Sequence, residues 1–488
     1  MKKTVIIGGG IAGLSTGIFL QKQGVPTVIY EKNAQPGGLC LSSVENGFRF
    51  DLCCRYINGI KSGRRHKLMT ESGALIPNLP VDSSEYEIYE NEGEVFRIEW
   101  TISAFRKLLS QLCAPEDAGR IDKFFTVLEK FRNYAEEPKS PPFSLLPFRE
   151  KKEFLLRYRS YLIPLGKSAL TATEKWIEQW GSESVRKLWR ALYPDNYSLY
   201  AFYTYMAARL YENSGYPRGG SADLIRRLTD SYLASGGELI TGVAVDEIII
   251  ERHRVAGIRV AGKTVETDTV AAACDVNTVL GKLLKGKVKI PGALRLIRQG
   301  DLFYPLMTVC YGIRKQYGLP ATFCMEDEKG VDGSPDLTNY QIEIHSAEMT
   351  PDSAPAGKSA LTVNLRCDYY FWKNLRQKSE EAYRQYALMV VDELNACLDR
   401  RFPGFTDSIE TVKTFTPLDY EENTALYKGS WRGFAPTVFS LKNRMPRTAG
   451  NCRGLYFCGQ SVAVGGGIDA VTEDAYDTAL FIKAHSLR

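Results

Sequence analysis

Residues 50–60 read FDLCCRYINGI and set two adjacent cysteines beside Arg55 and Tyr56. Such a stretch could be a redox dithiol, part of a metal site, or the wall of another group's redox centre. A bond between neighbouring cysteines is strained, which argues against the first. No CxxC occurs, and His66, His253, His345 and His485 stand in no ligand-like spacing to the cysteines, so no metal site is expected. The eleven cysteines, an odd number scattered from Cys40 to Cys458, read as reduced thiols buried as small apolar groups. Cys53 and Cys54 are then expected to pack against a pocket or core. Arg55 and Tyr56 remain the better candidates for chemistry, with a salt bridge and core packing as their plainer roles.

The elements that would position this stretch start at the N-terminus, TVIIGGGIAGLSTGIFLQKQGVPTVIYE over residues 4–31. A β-branched run, Thr4 to Ile7, leads into Gly8-x-Gly10-x-x-Gly13. The pattern predicts an amphipathic helix to about Gln23, a stop at Gly24, and a second strand, Thr27 to Tyr30, closing on Glu31. Gly8 permits a tight turn, Gly10 lets a pyrophosphate approach the helix N-terminus, and Gly13 lets helix and strand pack closely. Glu31 stands about twenty residues on, where a carboxylate can accept hydrogen bonds from ribose hydroxyls and would repel a 2′-phosphate. The unit is a dinucleotide fingerprint that does not choose between NAD and FAD.

The other end of the chain narrows that choice. GLYFCGQSVAVGGGIDAVTEDAYDTALFI, residues 454–482, predicts a strand (Leu455 to Cys458), a glycine-rich loop and a helix from about Ile468. Backbone N–H groups at two helix starts, only one of them a fingerprint, suit one long ligand held at both ends of the chain. FAD has that length.

The chain has 488 residues, 44% of them hydrophobic and 24% charged, with a formal net charge of +5. These values describe a globular protein of several domains and imply no nucleic-acid partner. The apolar run of MKKTVII is too short for a signal peptide, and no stretch reaches the eighteen or so apolar residues of a membrane span. The expectation is a cytoplasmic protein able to touch a membrane from one side. Residues 141–165 carry that second idea: Phe154, Tyr158 and Leu162 recur at helical spacing beside Lys151, Lys152, Arg157 and Arg159.

The N-terminal unit, its continuation EKNAQPGGLC (31–40), GGSADLIRRLTDSYLASGGELITGVAVDEI (219–248), TFTPLDYEENTALYKGSWRGF (414–434) and GLYFCGQS…GGGIDA together resemble FAD-dependent oxidoreductases that include phytoene desaturases, carotenoid isomerases and retinol saturases. The resemblance spans nearly the whole chain and is weakest around 76–210. It implies an α/β fold: a discontinuous Rossmann-like FAD-binding domain (1–75, 215–290 and 425–488) with an inserted α+β substrate domain (76–214 and 291–424). It also implies pyrophosphate contact by Gly8, Gly10, Ile11 and Ala12, and ribose contact by Glu31 with Lys32 beside it. Adenine contact falls to the Val245 backbone, and flavin-side contact to Gly37, Gly38, Leu39, Gly459, Gly467 and Ile468. Gln460, Val464 and Asp474-Ala475 depart from the group's usual residues there.

In this group the segment after the Gly-Gly turn passes near the flavin, which would make Cys53 and Cys54 wall residues of a redox centre belonging to the cofactor. The implied reaction moves hydride between flavin N5 and a carbon–carbon bond of a hydrophobic, isoprenoid or polyene-like molecule. A desaturase needs positioning and water exclusion more than a strong base, whereas a saturase needs an acid, for which Arg55, Tyr56 or Tyr304 are candidates. Amine oxidation at a C–N bond and flavin binding without turnover are the alternatives. The electron partner has no signature, apart from the lack of a second dinucleotide fingerprint for NAD(P)H.

Overall fold

The run Thr4–Ile7, β-branched at every position, is a fully buried strand, and the chain turns at Gly8 into the helix Ile11–Lys22. The computed structural model describes residues 2–52, 54, 56–82, 84–136, 141–194, 196–326, 341–347 and 352–486. Cys53 and Arg55 lie outside the described residues. The first helix departs from the amphipathic expectation, because every residue from Ile11 to Leu20 is buried. It lies between the sheet on one side and the helices Gly220–Ala234 and Ile468–Ser486 on the other, so it has no wet face.

Five parallel strands make the central sheet, in the order Glu238–Ile240, Thr27–Tyr30, Thr4–Ile7, Val270–Ala272, Leu455–Phe457. Strand order reverses between Thr4–Ile7 and Val270–Ala272. In open parallel sheets a ligand crevice forms outside the carboxyl ends of the strands at such a switch point. An antiparallel sheet of Val245–Glu251, Arg254–Val260 and Lys263–Glu266 packs beside it.

A second, seven-stranded sheet runs Ile409–Phe415, Leu306–Ile313, Ser359–Arg366, Gln341–Ser346, Thr322–Glu326, Glu87–Asn91, Glu94–Ile98. It draws strands from residues 87–98 and from residues 306–415, joined where Phe323 pairs with Ile88 in parallel. Its two faces differ. Val309, Ile344, Val363 and Leu365 pack with Val390, Leu394 and Leu398 of the helix Glu380–Arg401. The alternate positions, Thr308, His345, Asn364 and Arg366 among them, point the other way, as strand periodicity demands.

Most of the described residues between 102 and 210 are helical, around an aromatic core of Phe105, Phe124, Trp176, Trp180, Trp189 and Phe202. The basic stretch forms the helix Phe148–Ala169. Its expected apolar stripe turns inward: Tyr158 is 4% exposed and meets Tyr134 edge-on, while Phe154 meets Phe143. The opposite side exposes Phe148 (86%), Leu155, Leu156 and Ile163 (71%).

Candidate active site

The glycine fingerprint is built on backbone contact. A Cβ added to Gly13 would lie 1.9 Å from the Gly8 carbonyl oxygen, so only glycine lets the first helix pack this closely on the turn. Glu31, buried at the end of the second strand, accepts hydrogen bonds from the Gly9 N–H (2.6 Å) and the Asn33 N–H (2.9 Å), and so braces the loop from below. The Gly37 N–H donates to the Gly9 carbonyl at 3.0 Å, drawing the Gly-Gly turn onto the fingerprint.

The far end of the chain reaches the same place. Gly459, at φ +94°, approaches the first helix so closely that a Cβ there would lie 2.9 Å from that of Ala12. Its N–H donates to Asp474 Oδ2 at 2.7 Å. Arg447 donates to the other Asp474 oxygen and to Thr478 Oγ1. Burial raises the Asp474 carboxyl above its ordinary range, against the opposing pull of Arg447 and the Gly459 N–H. Asp474, one of the departures named above, thus forms a buried carboxylate–arginine clamp on the turn.

Together these loops enclose a cleft at the switch point. Gly10, Ile11 and Ala12 face Gly37, Gly38 and Leu39 across it. Gln460, Gly467 and Ile468 line another side, and Tyr56 joins them. The remaining predicted residues stand behind the walls. Gly8, Gly13, Glu31 and Gly459 shape the loops, and Val245 opens its strand opposite Val260. The Lys32 ammonium donates to the Glu422 carbonyl at 2.7 Å, and burial lowers its pKa. Ala273, Cys274 and Asp275, at the end of the fourth strand, also line the cleft, as do Trp431 and Arg432. The sequence reading missed all five, although SWRGF lies within a stretch that it quoted.

Among the described residues no two cysteines form a disulfide, and no cluster suits a metal ion. Burial pushes the Cys274 thiol up to about 12 and raises that of Cys458 as well. Cys54 is 3% exposed.

Tyr56, Trp431 and Arg432 also line a second cavity of ≈ 570 Å³, bounded by the seven-stranded sheet and the helical layer. Its wall contains a buried ion pair. Arg209 donates to Glu87 Oε1, and Glu87 Oε2 accepts from the Tyr89 hydroxyl (2.9 Å) and Trp100 Nε1 (2.8 Å). The Arg209 guanidinium lies 4.4 Å from the Trp100 ring centre and 5.1 Å from that of Tyr56. Burial works against its charge, but Glu87 and the neighbouring tyrosines outweigh it and hold its pKa above the ordinary value. Burial raises the Tyr193 and Tyr205 phenols far above neutrality, so they stay protonated hydrogen-bond donors.

A glycine-built cleft at a sheet switch point, adjoining a large cavity, defines a dinucleotide-dependent oxidoreductase scaffold. Residues 11–480 match the family model described as flavin containing amine oxidoreductase, and the chain belongs to that family. With the dinucleotide fingerprint, this makes it an FAD-dependent oxidoreductase. The glycine cradle fits that group, since its walls leave backbone exposed where side chains would fill the space. The chain is 25% identical over 517 residues to a lycopene-forming phytoene desaturase of Pseudescherichia vulneris, covering 98% of each chain. It is 21% identical to an all-trans-retinol 13,14-reductase of Macaca fascicularis, over 96% of this chain and 83% of that one. A solved structure of cyclohexylamine oxidase from Brevibacterium oxydans shares the fold, with a TM-score of 0.61 and 14% identity over the whole of both chains. Among the described residues no helix is long and apolar enough to cross a membrane.

Proposed function

We propose that the enzyme moves hydride between FAD and a carbon–carbon bond of an elongated isoprenoid or polyene-like substrate, by desaturation, saturation or isomerisation. The observation that carries this reading is the junction: the glycine cleft and the ≈ 570 Å³ cavity share Tyr56, Trp431 and Arg432, so a long molecule in the second can present one bond to a ring in the first. Relatives named for carotenoid and retinol chemistry across nearly the full chain support it. Bound FAD supplies the two-electron hydride exchange. Gly10, Ile11, Ala12, Gly37, Gly38, Leu39, Gln460, Gly467 and Ile468 would hold it, with Glu31 and Val245 toward its adenosine end. The domain division at residues 76, 215, 291 and 425 follows from the same reading.

The chain's own part is positioning and proton management. Trp431 and Tyr56 flank the junction and exclude water, and the Tyr56 hydroxyl is the candidate proton donor for a saturation. Arg55 keeps its proposed role from its place beside Tyr56. Oxidation of a C–N bond is the second reading, favoured by Glu326 and Glu343 in the cavity wall and by the amine oxidase fold. Anaerobic mixing of the oxidised and the reduced enzyme with phytoene, lycopene and all-trans-retinol tests the proposal. Flavin bleaching or recovery should accompany a product two hydrogens lighter or heavier by mass, or, for isomerisation, an isomer of unchanged mass should form with no net change in the flavin. Hydrogen peroxide release with amines alone would overturn it in favour of the second reading.

Entry of a greasy substrate suits a one-sided membrane contact, and the outer face of the helix Phe148–Ala169 supports one. Phe148 and Ile163 protrude there beside exposed Lys152 and Arg159. Phe148→Ser with Ile163→Ser should lower cosedimentation with anionic phosphatidylserine vesicles by tenfold or more. Unchanged cosedimentation would remove this contact from the proposal.

A further inference from the structure

The cavity's floor is the polar face of the seven-stranded sheet. Along Ser359–Arg366, Val363 and Leu365 face the helix Glu380–Arg401, while Asn364 and Arg366 line the cavity. On the neighbouring strand Ile342 and Ile344 face the helix, while Glu343 and His345 line the cavity, with Glu343 paired opposite Asn364. A site made for a pure hydrocarbon would show the reverse, because burying unmatched donors against apolar atoms costs free energy.

Asn364 gives the sharpest signal. It is 2% exposed, and its Oδ1 accepts from the Thr308 hydroxyl at 2.8 Å. Thr308 is held in turn by Tyr420 at 2.8 Å. Among the described residues the Asn364 Nδ2 has no hydrogen-bond partner. A buried amide fixed at its oxygen and unmatched at its nitrogen asks for an acceptor. Two residues along the same strand face, the Arg366 guanidinium lies 4.1 Å from the Tyr304 ring centre, against the same cavity.

Two acids of the wall have a basic side chain beside them. Glu87 is neutralised by Arg209, and Glu343 Oε1 lies 3.0 Å from His345 Nε2. Arg432 stacks on Trp431 at 4.1 Å and, among the described residues, has no carboxylate within ion-pair distance. Among the described residues, the Asn364 Nδ2 and the Arg432 guanidinium therefore leave donor capacity on the cavity wall.

Resting on the polyene reading above, we propose that the substrate ends in an acceptor oxygen group, a carboxylate or a carbonyl, and that Asn364 Nδ2 and Arg366 receive it on the sheet floor. The rest of the molecule then runs toward Trp431 and Tyr56, where the reacting bond meets the cleft. Asn364 and Arg366 choose the substrate and fix its register; neither takes part in the hydride step.

The test is equilibrium binding to the FAD-loaded enzyme, read by tryptophan fluorescence with all-trans-retinoic acid, all-trans-retinal and the hydrocarbon of the same ring and chain. The acid, the aldehyde or both should bind at least ten times more tightly than the hydrocarbon, the scale of one or two hydrogen bonds of this kind. The better of the two identifies the terminal group. Asn364→Asp keeps the oxygen for Thr308 and replaces the donor, and it should abolish the advantage of the acid with flavin content unchanged. The comparison of probes on the unmodified enzyme stands even if this variant fails to fold. Equal or tighter binding of the hydrocarbon would overturn the inference and leave the polyene reading in place. Failure of all three to bind would overturn both.

Discussion

The cleft and the cavity meet at three residues but are built in opposite ways. The cleft is made of backbone: absent side chains at Gly10, Gly37, Gly38 and Gly467 create it, and Gly13 and Gly459 allow its halves to touch. The cavity is made of side chains, with donors and acids set out on the strands of a sheet and closed by tyrosines from distant helices. A surface of backbone amides suits a ligand part that never changes, the phosphates and ring edge of a cofactor. A surface of side chains can be respecified by substitution, so it is where a family with one cofactor would vary its substrates.

The sharpest way to probe the contrast is at the buried pair in the cavity wall. Arg209→Met leaves Glu87 buried and unpaired, and should cost about 3–5 kcal/mol of stability in urea unfolding followed by tryptophan fluorescence. Adding Glu87→Leu should recover most of that loss, leaving about 1–3 kcal/mol for the stranded Tyr89 hydroxyl and Trp100 N–H. If the single change is neutral, the wall is wetter than its geometry implies.

A smaller effect belongs to the cleft's supports. Asp477, on the C-terminal helix and bound to Arg64 at 2.8 Å, has its carboxyl pushed up to about 6 by burial, in spite of Arg447 and Arg64. Between the ordinary aspartate value of 3.8 and about 6 the native state holds a proton that the unfolded chain has released. This group therefore adds stability as pH falls through 6 and loses it as pH rises through that window, by about 1–3 kcal/mol in all. Asp477→Asn, which has no proton to gain, should flatten that component of the melting temperature between pH 4 and roughly pH 7. An identical pH profile for variant and parent would place the titration elsewhere.

The smallest expected effect is none at all. Burial that lifts Cys274 to about 12 leaves almost no thiolate at neutral pH, so iodoacetamide should spare Cys274 and Cys458 in the folded enzyme and label both in urea. Rapid labelling of either in the folded state would give the cleft a reactive centre of its own and blur its contrast with the cavity.

The same contrast explains what could be read from the chain. Gly8, Gly10 and Gly13 carry their meaning in local spacing, and the second glycine loop sits just before a helix, so both halves of the cleft were visible in one dimension. The amphipathic reading of the first helix failed because its outer face is covered by two helices from residues 220–234 and 468–486, which no local pattern reveals. The inward turn of Tyr158 has a similar cause, since Tyr134 lies on a different helix. Trp431 and Arg432 look like ordinary loop residues until the strands that frame them are paired. Asn364 gives no signal in sequence at all, because an alternating polar residue on a strand looks the same whether its neighbour is water or a substrate.

The central claim is that both ends of the chain clasp one FAD, and the most direct measurement is the flavin carried by the purified protein. Visible absorption and mass spectrometry of the released cofactor should give one FAD per chain. Gly13→Val, which drives a side chain into the Gly8 carbonyl, should retain less than a tenth of it. A colourless protein that takes up no FAD on reconstitution, or a Gly13→Val variant that holds it as well as the parent, would contradict the account.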